Sequence, residues 1–171
     1  MSEPSLIEFE KGQKVVYPLQ GVGIIQNIED RLFNGEMVPY YIMYFHISDM
    51  TISIPVSSTS SQGIRAIVPR DRSEKALEII SSECEPAPTD WKLRYQMNLD
   101  LLRKGDVIDI ATVVMMLYHR SKLKELPILE RKLYDSALNL FIDELSLSLD
   151  KEKSEVEQLI FMKLESDNKQ S

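Results

Sequence analysis

A single tryptophan flanked by cations is the feature of this sequence whose residue types best fit specific binding chemistry. Trp91 stands at the start of a predicted helix, after a proline-rich turn, and Lys92 and Arg94 follow it. A helix N-terminus favours phosphate, and an apolar wedge with basic neighbours opens base steps from the DNA minor groove. This turn is therefore a candidate DNA contact. The alternative is structural, with Trp91 packed against Tyr95 and Leu99 at helical spacing.

The charge distribution places a basic segment around this tryptophan. The 171-residue chain has a net charge of −7, from 20 basic and 27 acidic residues, which argues against a general nucleic-acid binder. Residues 91–132 differ, because they hold 9 basic and 5 acidic side chains. In this window, Arg120, Lys122 and Lys124 form a second cluster. It is either a further DNA contact or a solvated helix end attracted to its own dipole.

The sequence holds no pattern typical of catalysis or metal binding. Its one cysteine, Cys84, excludes a disulfide framework and a thiolate zinc site, and His46 and His119 are far apart in the chain. The segment Gly21–Gly23 joins two predicted strands, so it predicts a turn and not a phosphate-binding loop. We therefore expect a binding protein that is not an enzyme and that holds no cofactor and no metal.

Hydropathy and the N-terminal sequence indicate the cellular compartment of the protein. No apolar run approaches the roughly 20 residues that a membrane span needs. The first twelve residues, MSEPSLIEFEKG, are acidic and lack an apolar signal core. We expect a cytoplasmic monomer that does not enter a membrane.

Residues 1–70 are predicted to form a small antiparallel β barrel, because short alternating runs are separated by tight turns. Asn34-Gly35 is the strongest hairpin signal. The predicted strands are Gln13–Pro18, Gly21–Glu29, Val38–Phe45, Met50–Val56 and Ile64–Val68.

Pro69 marks the change to helical spacing, so residues 73–165 are predicted to form an all-α helical bundle, followed by a frayed tail at 166–171. The helix Trp91–Lys104 is predicted to stop at Gly105. The predicted signals for helix starts are Ser73, either Thr89 or Asp90, Asp106, Pro127 and Asp150. The fold class is therefore predicted to be α+β.

Two motifs in this framework resemble a known protein family. They are FEKGQKVVYPLQGVG (Phe9–Gly23) and PTDWKLRYQMNLDLLRKGD (Pro88–Asp106). Together they closely resemble the CarD/CdnL family of bacterial transcription regulators, and the resemblance extends over residues 9–165. The first motif also fits the polymerase-interaction domain of transcription-repair coupling factors, but the second motif fits CarD/CdnL and not those helicases.

The resemblance implies a fold, two partners and a mechanism. A Tudor-like barrel at residues 1–70 would dock on the β subunit of RNA polymerase, and the helical domain at residues 73–165 would contact promoter DNA at the upstream edge of the transcription bubble. Trp91 would be wedged into the minor groove there, with Arg94 among its basic companions, and would stabilise the open complex. Arg31 matches an arginine that family members use against polymerase.

The sequence departs from the family pattern at three positions. Ser53 stands where members often carry arginine on the polymerase-facing strand, so the contact there is expected to be weaker or different. Leu93 and Gln96 stand where members are frequently basic. The DNA contact is therefore expected to depend on the following residues: Trp91, Lys92, Arg94, Arg120, Lys122 and Lys124.

The alternative function is that of a protein-interaction adaptor. In that case Trp91 belongs to the core of the helical domain, and the barrel holds a protein partner without any DNA contact. The two functions differ in whether the Trp91 indole is exposed beside basic residues or packed inside the bundle.

Overall fold

The computed structural model describes residues 7–166, and in them an antiparallel sheet precedes a set of helices. The strands are β1 (Lys14–Tyr17), β2 (Gly21–Phe33), β3 (Glu36–Phe45), β4 (Met50–Pro55) and β5 (Arg65–Ala66). The helices are α1 (Arg70–Ile80), α2 (Trp91–Lys104), α3 (Val107–Leu123), α4 (Ile128–Leu149) and α5 (Lys153–Glu165). This order confirms the predicted α+β class. Residues 167–171, which are most of the predicted frayed tail, lie outside the described residues.

The sheet is open, which corrects the predicted closed barrel. Its strand order is β4-β3-β2-β1-β5, and each neighbouring pair is antiparallel. Within residues 7–166, β4 and β5 form the two edges, and no hydrogen-bonded ladder joins them. Closure needs continuous pairing around the sheet, whereas β5 is only two residues long and pairs with β1.

The long β2–β3 hairpin forms where the sequence predicts it. Asn34 and Gly35 have φ angles of 50° and 82°, the left-handed conformations that a tight two-residue hairpin loop requires. Phe33 and Glu36 are the first paired residues beyond this loop. The main hydrophobic core of this part of the chain is formed by Phe9, Val15, Ile25, Tyr41, Met43, Phe45, Ile54, Val56 and Ile64.

Two predicted helix caps were wrong, because each residue occupies a different position in the structure. Helix α1 begins at Arg70, so Ser73 lies inside it, fully buried, with its hydroxyl 2.7 Å from that of Ser148. Asp150 does not start α5. It ends α4 in a left-handed conformation with a φ of 53°, and Glu152 takes the capping position of α5.

The chain divides into two compact units, and the boundary between them in the sequence lies between Ile67 and Val68. We call them the sheet unit and the helical unit. The start of the helical unit is fixed by the buried Glu144, whose carboxylate accepts a hydrogen bond from the Val68 N–H at 3.1 Å. The independence of the predicted domains, 1–70 and 73–165, stays a prediction.

Limited proteolysis checks that independence. Proteinase K, which has a broad specificity, is expected to leave a stable C-terminal fragment that begins near residue 68, because each unit has its own core. Mass spectrometry of the first products identifies the cleavage sites. A first cleavage inside β3 or β4 would contradict this domain division.

Gly23 leads to a second prediction, because the Phe45 ring lies against its backbone. A Cβ atom added at Gly23 would lie 2.7 Å from Phe45 Cε1, and Phe45 is only 1% exposed. Gly23→Ala is therefore expected to lower the free energy of unfolding of the sheet unit by about 1–3 kcal/mol, as overpacked cores do. Urea denaturation measures the loss, and adding Phe45→Leu should recover part of it. Unchanged stability in Gly23→Ala would show that the ring moves aside freely.

Candidate DNA and polymerase interfaces

A local cap places Trp91 at the very start of α2. The Asp90 Oδ1 atom accepts a hydrogen bond from the Lys92 backbone N–H at 3.0 Å, which satisfies a donor that helix starts otherwise leave unpaired. Of the two residues that the sequence allowed as cap, Thr89 and Asp90, the structure has Asp90. Because helical side chains tilt toward the N-terminus, the Trp91 side chain leans toward the beginning of the helix.

The exposure of Trp91 lies between the two predicted alternatives. Trp91, Tyr95 and Leu99 follow one side of α2, and all three are half-buried. The indole is thus neither in the fully buried core nor fully accessible. The Lys92 ammonium lies 6.0 Å from the centroid of the Trp91 ring. The accessible part of the indole therefore has a cation beside it, which is the combination that a DNA wedge uses.

Arg94 does not reach the surface beside Trp91, and this corrects its predicted role as a phosphate contact. The side chain is 2% exposed. Its Nη2 and Nε atoms donate to the Glu130 carboxylate at 2.6 and 2.9 Å, in the bidentate geometry of strong arginine–carboxylate pairs. Its Nη1 atom donates to the Pro88 carbonyl at 2.8 Å and approaches the Thr89 carbonyl at 3.4 Å. A guanidinium enclosed in this way is unavailable to DNA.

The ion pair joins the first turns of α2 and α4. Glu130 is fully buried in the first turn of α4, and the exposed Arg131 and Lys132 follow it directly. These two cations belong to the basic window, but sequence reasoning assigned them no role. The pairing of Glu130 with Arg94, 36 positions away, shows that the first turn of α4, which includes Arg131, lies beside the first turn of α2.

The basic cluster at the end of α3 is accessible. Lys122 and Lys124 are exposed, and Arg120 is half-buried. The Lys122 ammonium lies 5.1 Å from the centroid of the Tyr118 ring. Burial, together with the charge of Glu165 and a hydrogen bond to it, raises the pKa of Tyr118, so this ring stays neutral. The position fits both alternatives for the cluster, because cations at a helix C-terminus also interact favourably with its dipole.

A β-bulge in β2 decides which face of the sheet Arg31 occupies. The register between β2 and β3 shifts between Ile25 and Asn27, which leaves Gln26 as the extra residue. Ile25 and Ile28 consequently both face the core although they are three positions apart. Because a one-residue shift turns every later side chain to the other face, Arg31 points away from the core.

Arg31 and Ser53 lie on this same side of the sheet, which we call the outer face. Arg31 pairs with Val38 and Ser53 pairs with Ile42, and side chains four positions apart on one strand point the same way. The two positions are about 14 Å apart along β3, at roughly 3.4 Å per residue. Both side chains are exposed, so the structure brings the two predicted polymerase contacts onto one surface.

Two tyrosine side chains, Tyr40 and Tyr44, contribute to the polar surface of the outer face. The Arg31 guanidinium lies 5.7 Å from the centroid of the Tyr40 ring and 3.3 Å from the Glu29 carboxylate. Exposed ion pairs of this kind stabilise little, so the guanidinium remains available to an acidic partner. The Tyr44 hydroxyl donates to Asp49 Oδ1 at 2.6 Å, and this hydrogen bond raises the pKa of Tyr44. The phenol is therefore a neutral polar group.

In residues 7–166, no group of three or more histidine, cysteine, aspartate or glutamate side chains is arranged to hold a metal ion. No helix in that range is both long and apolar enough to cross a membrane. Cys84 is half-buried, with its sulfur 3.5 Å from the Glu85 carbonyl oxygen.

Comparison with known proteins finds matches in both units. A family model described as the CarD-like/TRCF RID domain matches residues 9–68, and one described as the CarD C-terminal domain matches residues 75–161. The chain is also similar to a protein of Bacillus subtilis (strain 168) named "Putative transcription factor YdeB". The identity is 34% over 139 residues, which cover 81% of this chain and 91% of that protein.

The buried ion pair leads to a stability prediction. Arg94→Met is expected to lower the free energy of unfolding of the helical unit by about 3–5 kcal/mol, because Glu130 stays buried without its partner. The double variant Arg94→Met/Glu130→Met is expected to recover most of that loss, since apolar side chains of similar volume can replace a buried ion pair. Urea denaturation followed by circular dichroism measures both variants.

The control for this experiment is Lys92→Met, which removes an exposed cation from the same helical turn. It should change the stability by no more than about 0.5 kcal/mol. An equal loss in the single and double variants would contradict the prediction.

Proposed function

The chain belongs to the CarD family of transcription factors, and we propose that it docks on the β subunit of RNA polymerase and stabilises the promoter open complex. In this proposal residues 1–70 bind polymerase and residues 73–165 contact DNA at the upstream edge of the bubble. The protein acts as a monomer in the bacterial cytoplasm, by binding alone and without catalysis.

The outer face of the sheet supports the polymerase contact. It presents the exposed Arg31 guanidinium on the Tyr40 ring, and a charge at such a position steers a partner and sets its orientation. Ser53 offers a small hydroxyl on the same face, so the interaction there is a hydrogen bond and not a charge pair. The match of residues 9–68 to the CarD-like/TRCF RID domain favours the same unit as the docking unit.

One observation carries the DNA contact: Trp91 is half-buried at a capped helix start, with the exposed Lys92 beside its ring. An indole in the gap of an unstacked base step binds melted DNA better than closed duplex. Only such a difference in affinity shifts the closed-to-open equilibrium. Stacking on one base is worth roughly 1–3 kcal/mol, which corresponds to about a 5- to 150-fold shift.

The exposed cations would surround this wedge with phosphate contacts. In place of Arg94 we assign this role to the exposed Arg131, because the first turn of α4 adjoins that of α2. The remaining proposed phosphate contacts are Lys92, Arg120, Lys122 and Lys124. A net charge of −7 suppresses non-specific DNA binding. Weak DNA affinity then suffices, since docking on polymerase raises the local concentration of the helical unit.

The adaptor remains the second candidate, and the partial burial of Trp91 on one side of α2 with Tyr95 and Leu99 favours it. In that case the indole stabilises the helical unit, and the outer face holds a protein partner. The two candidates therefore predict different effects of removing the indole. The DNA contact predicts a shorter open-complex lifetime, and the adaptor predicts a loss of stability.

The polymerase contact predicts the effect of a charge reversal. Arg31→Glu is expected to weaken binding to the β subunit by tenfold or more, about 1.4 kcal/mol, because it replaces an attractive charge by a repulsive one. Titration of purified RNA polymerase measures the affinity. Lys11→Glu makes the same charge change at an exposed turn of the same unit, and it should bind normally. Equal affinities for the two variants would remove Arg31 from the interface.

The DNA contact predicts that Trp91→Ala shortens the open-complex lifetime by roughly 5- to 150-fold and leaves polymerase binding unchanged. Because the indole is half-buried, thermal stability also falls, but by less than a full core truncation would cost. Promoter dissociation kinetics and thermal denaturation measure the two quantities. Leu93→Ala is the control, since Leu93 is 53% exposed on the other side of α2. If Trp91 is core, the substitution instead costs about 3–5 kcal/mol of stability. A large fall in melting temperature with normal open-complex kinetics would favour the adaptor.

A further inference from the structure

One buried guanidinium holds the backbone on the N-terminal side of Trp91. Arg94 Nη1 donates to the Pro88 carbonyl at 2.8 Å and approaches the Thr89 carbonyl at 3.4 Å. The same guanidinium is fixed to Glu130 of α4 by two hydrogen bonds, at 2.6 and 2.9 Å. Trp91 therefore lies in the short stretch of chain between the bound carbonyls and the helical position of Arg94.

Stability alone does not account for a charged pair at this place. Removing both charges from water is costly, and apolar side chains of similar volume often serve the fold equally well. An apolar contact does not fix the orientation of the groups that it joins, whereas a hydrogen bond does. The planar guanidinium fixes the distances and angles of several acceptors at once, and Arg94 is 2% exposed while Glu130 is fully buried. This arrangement sets the loop before α2 in one position.

We propose that Arg94 and Glu130 form a positioning pair, which holds the Trp91 indole in the orientation that DNA requires. This inference rests on the proposed DNA contact of Trp91. The pair does not touch DNA, and it acts through the carbonyls of Pro88 and Thr89. Its effect is preorganisation: an indole that is already oriented loses less conformational freedom when it binds.

The first test uses the fluorescence of Trp91, which is the chain's only tryptophan. Two variants disturb the pair in different ways. Arg94→Lys keeps a charge for Glu130 but loses the planar fork, and Arg94→Met/Glu130→Met removes both charges together with the carbonyl contacts. Each variant is expected to show a larger acrylamide quenching constant and a lower fluorescence anisotropy, with its helical circular dichroism retained.

Arg103→Lys is the matched control, because Arg103 is exposed in the last turn of the same helix, and it should leave the fluorescence unchanged. Wild-type quenching in a folded Arg94 variant would overturn the proposal. Loss of helical circular dichroism in both Arg94 variants would also overturn it, because the pair would then be required for the fold itself.

The second test measures open-complex lifetime with RNA polymerase and promoter DNA. Arg94→Lys is expected to shorten the lifetime by up to the factor found for Trp91→Ala, and to shorten it no further when Trp91→Ala is already present. Equal shortening in both backgrounds would overturn the proposal, because Arg94 would then act independently of the indole.

The two hypotheses fail in distinguishable ways. A normal lifetime for Trp91→Ala would overturn the proposed DNA contact itself. Trp91→Ala could instead shorten the lifetime while Arg94→Lys leaves both the lifetime and the quenching normal. That result would overturn only the positioning inference.

Discussion

The candidate DNA surface of the helical unit depends on one buried ion pair. Arg94 and Glu130 join the first turns of α2 and α4, and the same guanidinium binds the loop that leads into α2. A buried charge is tolerated only where its hydrogen bonds are satisfied, so the pair restricts the helical unit to arrangements that keep these elements together. The turn that carries the half-buried indole consequently lies beside the first turn of α4, which carries the exposed Arg131.

A comparable constraint in the sheet unit is the bulge at Gln26. Without the extra residue, Arg31 would point toward the core side of the sheet, since a one-residue shift exchanges the two faces. With it, Ile25 and Ile28 both serve the core, and Arg31 shares the outer face with Ser53. Both candidate interfaces thus depend on a departure from the simplest pattern: an arginine in a core, and an extra residue in a strand.

These features fit a regulator that combines two modest interactions. The outer face offers one accessible guanidinium, which pairs with the Glu29 carboxylate and lies beside the Tyr40 ring. The helical unit offers one indole with scattered cations. Neither surface has the dense positive charge of an autonomous DNA-binding protein. Proposed docking on polymerase would supply the missing affinity through local concentration, and the acidic remainder of the chain would limit binding elsewhere.

Local signals in the sequence determined the element types, the Asn34-Gly35 hairpin and the bounds of Trp91–Lys104, because turns and helix stops depend on neighbouring residues. The two motifs also indicated the family. Tertiary structure decided whether the sheet closes and which face of α2 is buried. Arg94 is the clearest example of a residue whose role depends on tertiary structure. A cation near a helix start is normally solvated, and no neighbouring residue in the sequence indicates that Arg94 pairs with a buried carboxylate. Its partner, Glu130, lies 36 positions away, and only folding brings the two charges together.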